Sequence, residues 1–577
     1  MKKILLFLLL PAALLSCVQE SQENLLAARE AEELLQPMSG KTLLLPYNTP
    51  GGSLALPFSD GTQAEISMDA IASLSDNGKE ISIGLKNRRS FLFPKEYPTE
   101  SPSEGPVLSV VFQGKDNTAL LLGDLTCRIE GRKATCEVPY LLPHRNLIAD
   151  ITLRDGYTAF LRDDPGKDIR SRTDFALPTV YIIEGNGQKD SLTVQLLGNT
   201  GLPALNILTE NGREILSKEE YLHAEVSVRD NALSTTSGLE DLESTPAQIR
   251  GRGNSTWNED KKPYKIKFQK KTPLLGMPAG KQWVLLANAI DKSQLKNTAG
   301  FSLSEMLGME WTPRHRYVDL FINNRYRGMY QLTEQIKTGK ERVNVSDGGY
   351  LLEIDAEVKL DPDDVFFSTD CFKYVVIKDP DTDKGSEQYN AIRDDFNRIE
   401  KTLFSTGWLD GETGYKTLLD IESFAKWYVI HELSGHDDHA FHTSCYMHRG
   451  PDGKLKAGPV WDFDQSFGGF HTATHKLVVK ETRWFRRLFE DPDFMKEVSV
   501  QFKACRESMP YLLDMLEATG ETLDIAHIEN NTLWHDLSGP YDYTGVRKQM
   551  KYHRENLKTF LQERLDHIES SLFPDGQ

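Results

Sequence analysis

No two cysteines in the chain are separated by two residues, and no HExxH motif occurs. The first absence argues against a cysteine-based zinc site, the second against the helical histidine pair of a zinc protease. Positive charge is in deficit: 67 Lys and Arg against 85 Asp and Glu give a formal net charge of -18. Duplex affinity rests on cations that neutralise phosphates, so the chain as a whole is no nucleic-acid binder, although a local basic groove remains able to hold a small anion. Long hydrophobic runs are missing too, and the apolar stretch in MKKILLFLLLPAALLSC is too short for a comfortable transmembrane helix.

What that first stretch does have is two lysines, an apolar run and a small residue before Cys17, the layout of a secretory signal. LLSC resembles a bacterial lipobox, so residues 1–17 are expected to be a lipoprotein signal with Cys17 as the lipidated first residue of the mature chain. Residues 18–39 then form a charged tether of helical character, and the mature protein works in the cell envelope, lipid-anchored to a membrane. Of the other cysteines, Cys127 and Cys136 flank the turn-like EGRK and are placed to face each other across a hairpin, where an exported protein is able to keep a disulfide.

With 577 residues, 39% hydrophobic and 9% aromatic, the chain has material for two to four globular domains. From 40 to 200 the text alternates in short runs such as KEISIGL, PVLSVVF and TVYIIEG between Gly, Asp, Asn and Pro clusters, which reads as one or two all-β, sandwich-like modules without a catalytic constellation. From 201 to 577 strands mix with strong helical patterns, giving an α+β domain. Its first dense motif is QIRGRGNSTWNEDKKPYKIKFQKK, residues 248–271. Gly251 and Gly253 make a turn whose N–H groups suit an anion, beside the fixed charges of Arg250 and Arg252, but the third glycine of a nucleotide fingerprint is missing. Period-two alternation sets Lys265 and Lys267 on the strand face opposite Tyr264, Ile266 and Phe268. An edge strand guarded by lysines has the same pattern.

Further on, 291–309 reads as a helix capped by Asp291 and 316–336 as a hairpin turning at Asn323 and Asn324, followed by the strand GGYLLEID. In WDFD, Asp462 and Asp464 share one side if extended, so both reach one hard cation. Glu432 falls in the apolar stripe of a helix beginning at Asp420, and a carboxylate buried there calls for a cationic partner. His431, His436, His439 and His442 tempt a zinc reading, but Gly435 interrupts the helix before a regular ligand face forms. Residues 543–573 carry apolar positions at helical spacing and form one long amphipathic core helix.

RGRGNSTW, KKPYKIKF, LLGM, WVLLAN, YQLTEQI, GGYLLEID and GPVWDFDQSFGG together resemble the signature blocks of the spore-coat protein H (CotH) kinase family. The resemblance covers roughly 201–577 and implies a divergent two-lobed protein-kinase-like fold that uses ATP with Mg²⁺ or Mn²⁺ to phosphorylate serine or threonine of a protein substrate. It implies a nucleotide site of Arg250, Arg252, Lys265, Lys267 and Glu334, with Asp462 and Asp464 on the metal. The family block Glu-x-x-x-Asn-x-Asp reads here from Glu432 to Asp438 with His436 in the asparagine position, which makes Asp438 the catalytic carboxylate, Asp437 its competitor, and Thr443 or Ser444 the following polar position. Two other classes stay open: a nucleotide-binding pseudokinase or binding lipoprotein, favoured by the scarcity of ATP outside the cytoplasm, and a metal-dependent hydrolase.

Overall fold

A computed structural model of the protein describes residues 27–39, 41–43, 47–48, 53–58, 62–67, 70–76, 80–86, 89–94, 105–117, 124–230, 241–345, 348–361, 363–436, 440–469, 472–534 and 543–574. The fold is α+β, in two compact units that divide between Pro98 and Thr99. In the first unit, two three-stranded antiparallel sheets (Tyr47–Asn48, Ser53–Pro57, Gln63–Ser67; Ile71–Asp76, Glu80–Leu85, Ser90–Pro94) share a core that includes Leu54, Leu56, Ile66, Ile81, Ile83 and Phe93. The end of the expected tether is part of this unit. Residues 27–35 are helical and bury Ala28, Ala31 and Leu35, whose spacing of three and four lines one helix face, in the same core.

The second unit begins with a β module. Five strands, ordered Tyr157–Leu161, Thr179–Gly185, Gln188–Gly198, Lys133–Val138, Arg128–Glu130, and three more, Asp150–Leu153, Val107–Phe112, Leu125–Thr126, enclose a core of Phe112, Tyr181, Leu192 and Val194. That core also takes in Ile528, Val546 and Met550 from near the C-terminus. The β module therefore shares its interior with the C-terminal helices, and the break between units lies well before the change of texture near 200.

Seven strands then close into a barrel: β1 (Ala204–Thr209), β2 (Leu222–Arg229), β3 (Leu242–Gly251), β4 (Tyr264–Leu274), β5 (Met277–Leu286), β6 (His315–Ile322) and β7 (Arg325–Glu334), in the order β1-β2-β3-β4-β5-β7-β6, with β6 parallel to β1 completing the ring. The β6–β7 turn places Asn323 and Asn324 at φ 52° and 60°, the left-handed pair that a two-residue hairpin demands. Trp283 and Leu285 of β5 fill the barrel, while Val284 and Leu286 join the other core outside it. A strand covered on both sides needs a continuous apolar run, which is why WVLL does not alternate.

Helix α1 (Lys296–Met306) packs on that outer face. It starts five residues later than its sequence suggests, because Asp291 does not cap it directly. Asp291 Oδ1 accepts from the Ser293 N–H and hydroxyl, and Oδ2 from the Lys296 N–H, winding 291–295 into a buried loop first. A second sheet has β8 (Leu351–Ile354), β9 (Phe366–Phe367), β10 (Val375–Asp379), β11 (Cys445–Arg449) and β12 (Leu455–Ala457) in the order β9-β10-β8-β11-β12. Behind it lie α2 (Glu387–Leu403), α3 (Ile421–Ser434), α4 (Arg483–Leu488) and α5 (Pro492–Thr522), while α6 (Asp524–Trp534) packs on β7 of the barrel and α7 (Tyr543–Leu572) runs against α3, α5 and α6. Helix α7 gives Val546 and Met550 to the β-module core, and Leu557, Leu561, Leu565 and Ile568 to the main core.

Candidate active site

A cleft of about 910 Å³ is lined by β3, β4 and the turn after β3 on one wall, and by β8, β10 and the segments after β8 and β12 on the other. The first wall is basic. Arg250 lies in register with Lys265 on the neighbouring strand. Like charges directly opposite in a sheet are destabilising, so packing alone does not account for this pair. Buried Arg250 Nε has no hydrogen-bond partner among the described residues, and the guanidinium lies over the Tyr221 ring, 5.1 Å from its centroid. Desolvation, together with Arg250, Lys337 and Arg252, brings the Lys265 pKa down to about 7. Gly253, at φ 84°, turns the chain at the cleft edge, and a Cβ there would stand 2.4 Å from Thr256 Oγ1. An unpaired guanidinium nitrogen and a lysine crowded by cations are what an anion such as a triphosphate would satisfy.

The facing wall is acidic. Strand β8 brings Glu353 to it, with Asp355 just beyond the strand end, and the turn 461–465 brings Asp462 and Asp464. The two aspartates are not side by side on an extended strand as their spacing suggests. Asp462 sits at φ 69°, a left-handed conformation that costs a β-carbon residue of order 1–3 kcal/mol, while the Phe463 N–H is held by Asn297 Oδ1 at 2.9 Å. Desolvation, and then the charges of Asp462 and Asp291, raise Asp464 to about 7. Carboxylates that repel one another in a partly dry site would gain from a divalent cation, and Mg²⁺ commonly takes one or two carboxylates and completes its shell with water and phosphates. Asp462 and Asp464 fit that role as a pair. Among the described residues no three His, Cys, Asp or Glu side chains converge as a metal cage.

Not every residue singled out from the sequence is at the cleft. Arg250, Arg252, Lys265, Asp462 and Asp464 line it together, with His436 and Ser444. Lys267 is exposed and lies over the Tyr221 ring, outside the lining. Glu334 is fully buried, in ion pairs with Arg314 at 3.2 Å and Arg342 at 3.3 Å, and does not line the cleft. Asp437, Asp438, His439 and Cys17 lie outside the described residues. Sequence reasoning gave no role to Lys337, Lys359 or Lys378, which also line the cleft. The signal for the acidic wall was present, since Glu353 and Asp355 stand two apart at the end of an apolar strand.

Glu432 meets Arg564 of α7 at 2.6 Å, both side chains at 0% exposure. The carboxylate also accepts from the N–H groups of Val478, Val479 and Lys480, and Arg564 donates to the carbonyls of Glu432, Thr474 and Lys476. Desolvation nonetheless raises the Glu432 pKa, with Arg564 opposing it. The histidines are dispersed: His431 stacks 3.9 Å from Trp427 and 5.3 Å from Phe463, and His442 is exposed. Cys127 and Cys136 are buried free thiols, not a disulfide. They stand at the mouth of the hairpin 128–135 and interact directly, and the Cys127 thiol is pushed far up by its hydrogen bond to Cys136.

No curated protein matches the chain. A crystal structure of a proposed glycoside hydrolase from Bacteroides thetaiotaomicron matches at 14% identity, covering 50% of this chain and 88% of its own, but at a TM-score of 0.15 it carries no argument about fold or function. The family model described as "CotH kinase protein" matches residues 249–568, a span that runs from the basic turn through both acidic segments to the helix that carries Arg564. With more than half of its length matched, Arg250, Arg252, Lys265, Asp462 and Asp464 included, the chain belongs to the CotH kinase protein family.

Proposed function

We propose that the protein is an ATP- and divalent-metal-dependent kinase that phosphorylates serine or threonine hydroxyls of a protein substrate, acting in the cell envelope from a lipid anchor on Cys17. In this reading the barrel and the second sheet with its helices are the two lobes of a divergent kinase-like domain. The carrying observation is the polarity of the cleft, with Arg250, Arg252 and Lys265 on one wall and Asp462 and Asp464 on the other. Phosphoryl transfer asks the protein mainly to position and neutralise, and these are the groups for that work. Arg250 and Lys265 would orient phosphate oxygens through their N–H donors, and Asp462 and Asp464 would hold Mg²⁺ or Mn²⁺. A bound divalent ion supplies neutralisation of the charge that develops between the phosphates. Asp438 would orient the incoming hydroxyl and accept its proton late.

The test is transfer of label from ATP to a mixture of envelope proteins and to a generic protein acceptor by the purified full chain with Mg²⁺ or Mn²⁺. Asp462→Ala should abolish transfer and metal-dependent nucleotide binding together. Asp438→Asn should keep nucleotide binding and lower turnover by about 10²-fold or more. Nucleotide binding with no transfer to any acceptor or to the chain itself would instead support a pseudokinase.

A further inference from the structure

The acidic wall carries its own cations. Lys378 Nζ lies 3.3 Å from Glu353 and 3.2 Å from Asp364. Lys359 Nζ lies 3.6 Å from Asp462 Oδ2 and 3.2 Å from each of the hydroxyls of Thr443 and Ser444, and the Ser444 hydroxyl itself donates to Asp462 Oδ2 at 3.2 Å. This ammonium is not a loose surface charge. Its side chain is 23% exposed, on a short 3-10 turn (Glu357–Lys359) that leaves β8, and it is fixed by contacts to three residues far along the chain, two just before β11 and one beyond β12. Ser444 keeps φ 54°, a left-handed backbone that directs it toward this cluster at a cost a serine does not meet without cause.

Protein-kinase phosphoryl transfer ordinarily uses two Mg²⁺ ions, held by an aspartate and an asparagine. Here the carboxylates beside the proposed ion site already face lysines: Glu353 pairs with Lys378, and the Lys359 ammonium, next to Asp462, also feels the charges of Asp355 and Glu353. We propose, resting on the kinase reading, that the Lys359 ammonium is a built-in monovalent substitute for a second divalent ion, so that the cleft takes a single Mg²⁺ or Mn²⁺ with its nucleotide. Lys359 is then a positioning residue: it fixes Asp462 and the Ser444 hydroxyl and limits the number of metal ions, without itself taking part in bond making.

Counting metal ions tests this without reference to turnover. The full chain is saturated with the non-hydrolysable analogue AMP-PNP and titrated with Mn²⁺, with bound ion read by loss of the free-ion electron paramagnetic resonance signal. Wild type and Lys359→Arg should each take up one Mn²⁺ per nucleotide, and Lys359→Gln should take up a second. Lys359→Ala serves as an independent neutral variant, and thermal melts verify that each variant is folded. Two ions in wild type would overturn the inference and leave the kinase reading intact, whatever the variants do. A count that stays at one in both neutral variants would also overturn it. Absence of any nucleotide-dependent Mn²⁺ uptake in wild type would overturn the kinase reading and this inference together.

Discussion

At the scale of single residues, the basic wall would tie the proposed nucleotide binding to pH. Lys265, with a pKa near 7, is partly neutral at pH 7–8 in the free protein because burial and three neighbouring cations disfavour its charge. A polyphosphate beside it would restore the charged form, so the bound state holds more protons than the free state above pH 7. Affinity should therefore fall as pH rises from about 7 toward 9, and calorimetry in buffers of different ionisation enthalpy should register proton uptake on binding. Lys265→Ala should remove that uptake and weaken binding, whereas Lys270→Ala, at an exposed position further along β4, should leave both as they are. Equal effects at the two positions would return Lys265 to the guarding role of an edge lysine. This much was legible in the text, because period-two alternation places Lys265 reliably. The same reasoning misplaced Lys267, since a strand face can be shared by a cleft and by open solvent, and it gave the wrong picture of WDFD, where left-handed Asp462 breaks the extended geometry.

At the scale of elements, one ion pair binds three pieces of chain. Glu432 closes α3, Arg564 stands on α7, and the peptide groups of 474–480 wrap both. Arg564→Met should destabilise by about 3–5 kcal/mol in denaturant melts, because it strands a buried carboxylate. The double variant Glu432→Leu with Arg564→Met should not recover that loss. It leaves the N–H groups of 478–480 without acceptors, and each orphaned donor costs roughly 1–3 kcal/mol. Full recovery would mean the pair matters only as charge. The need for a partner to Glu432 followed from helical periodicity, but the partner's identity did not, since Arg564 is 132 residues away and no local pattern links them. The hairpin at Asn323 and Asn324 was readable for the opposite reason, its information lying in two adjacent residues.

At the scale of the whole molecule, α7 spans two cores, with Val546 and Met550 among the β-module residues and Leu557 to Ile568 in the main core. A chain beginning at Thr99 should fold cooperatively, because its unit is compact by itself. One beginning at Leu202 should be poorly soluble, because Ile528, Val546 and Met550 lose the apolar surface that covers them. Differential scanning calorimetry of both truncations distinguishes these outcomes, and equal stability would show that the β module is an accessory. The sequence marked the change of texture near 200 but not the continuity across it, as shared burial between segments hundreds of residues apart leaves no periodic trace. The same long reach sets an order of events during synthesis. Arg564 is made 132 residues after Glu432, and until it is in place the carboxylate at the end of α3 has no guanidinium to enter the core with. A chain lacking α7 should therefore carry an unmatched carboxylate in the helix that leads to His436 of the cleft, and should be cut by proteases more readily than the full chain.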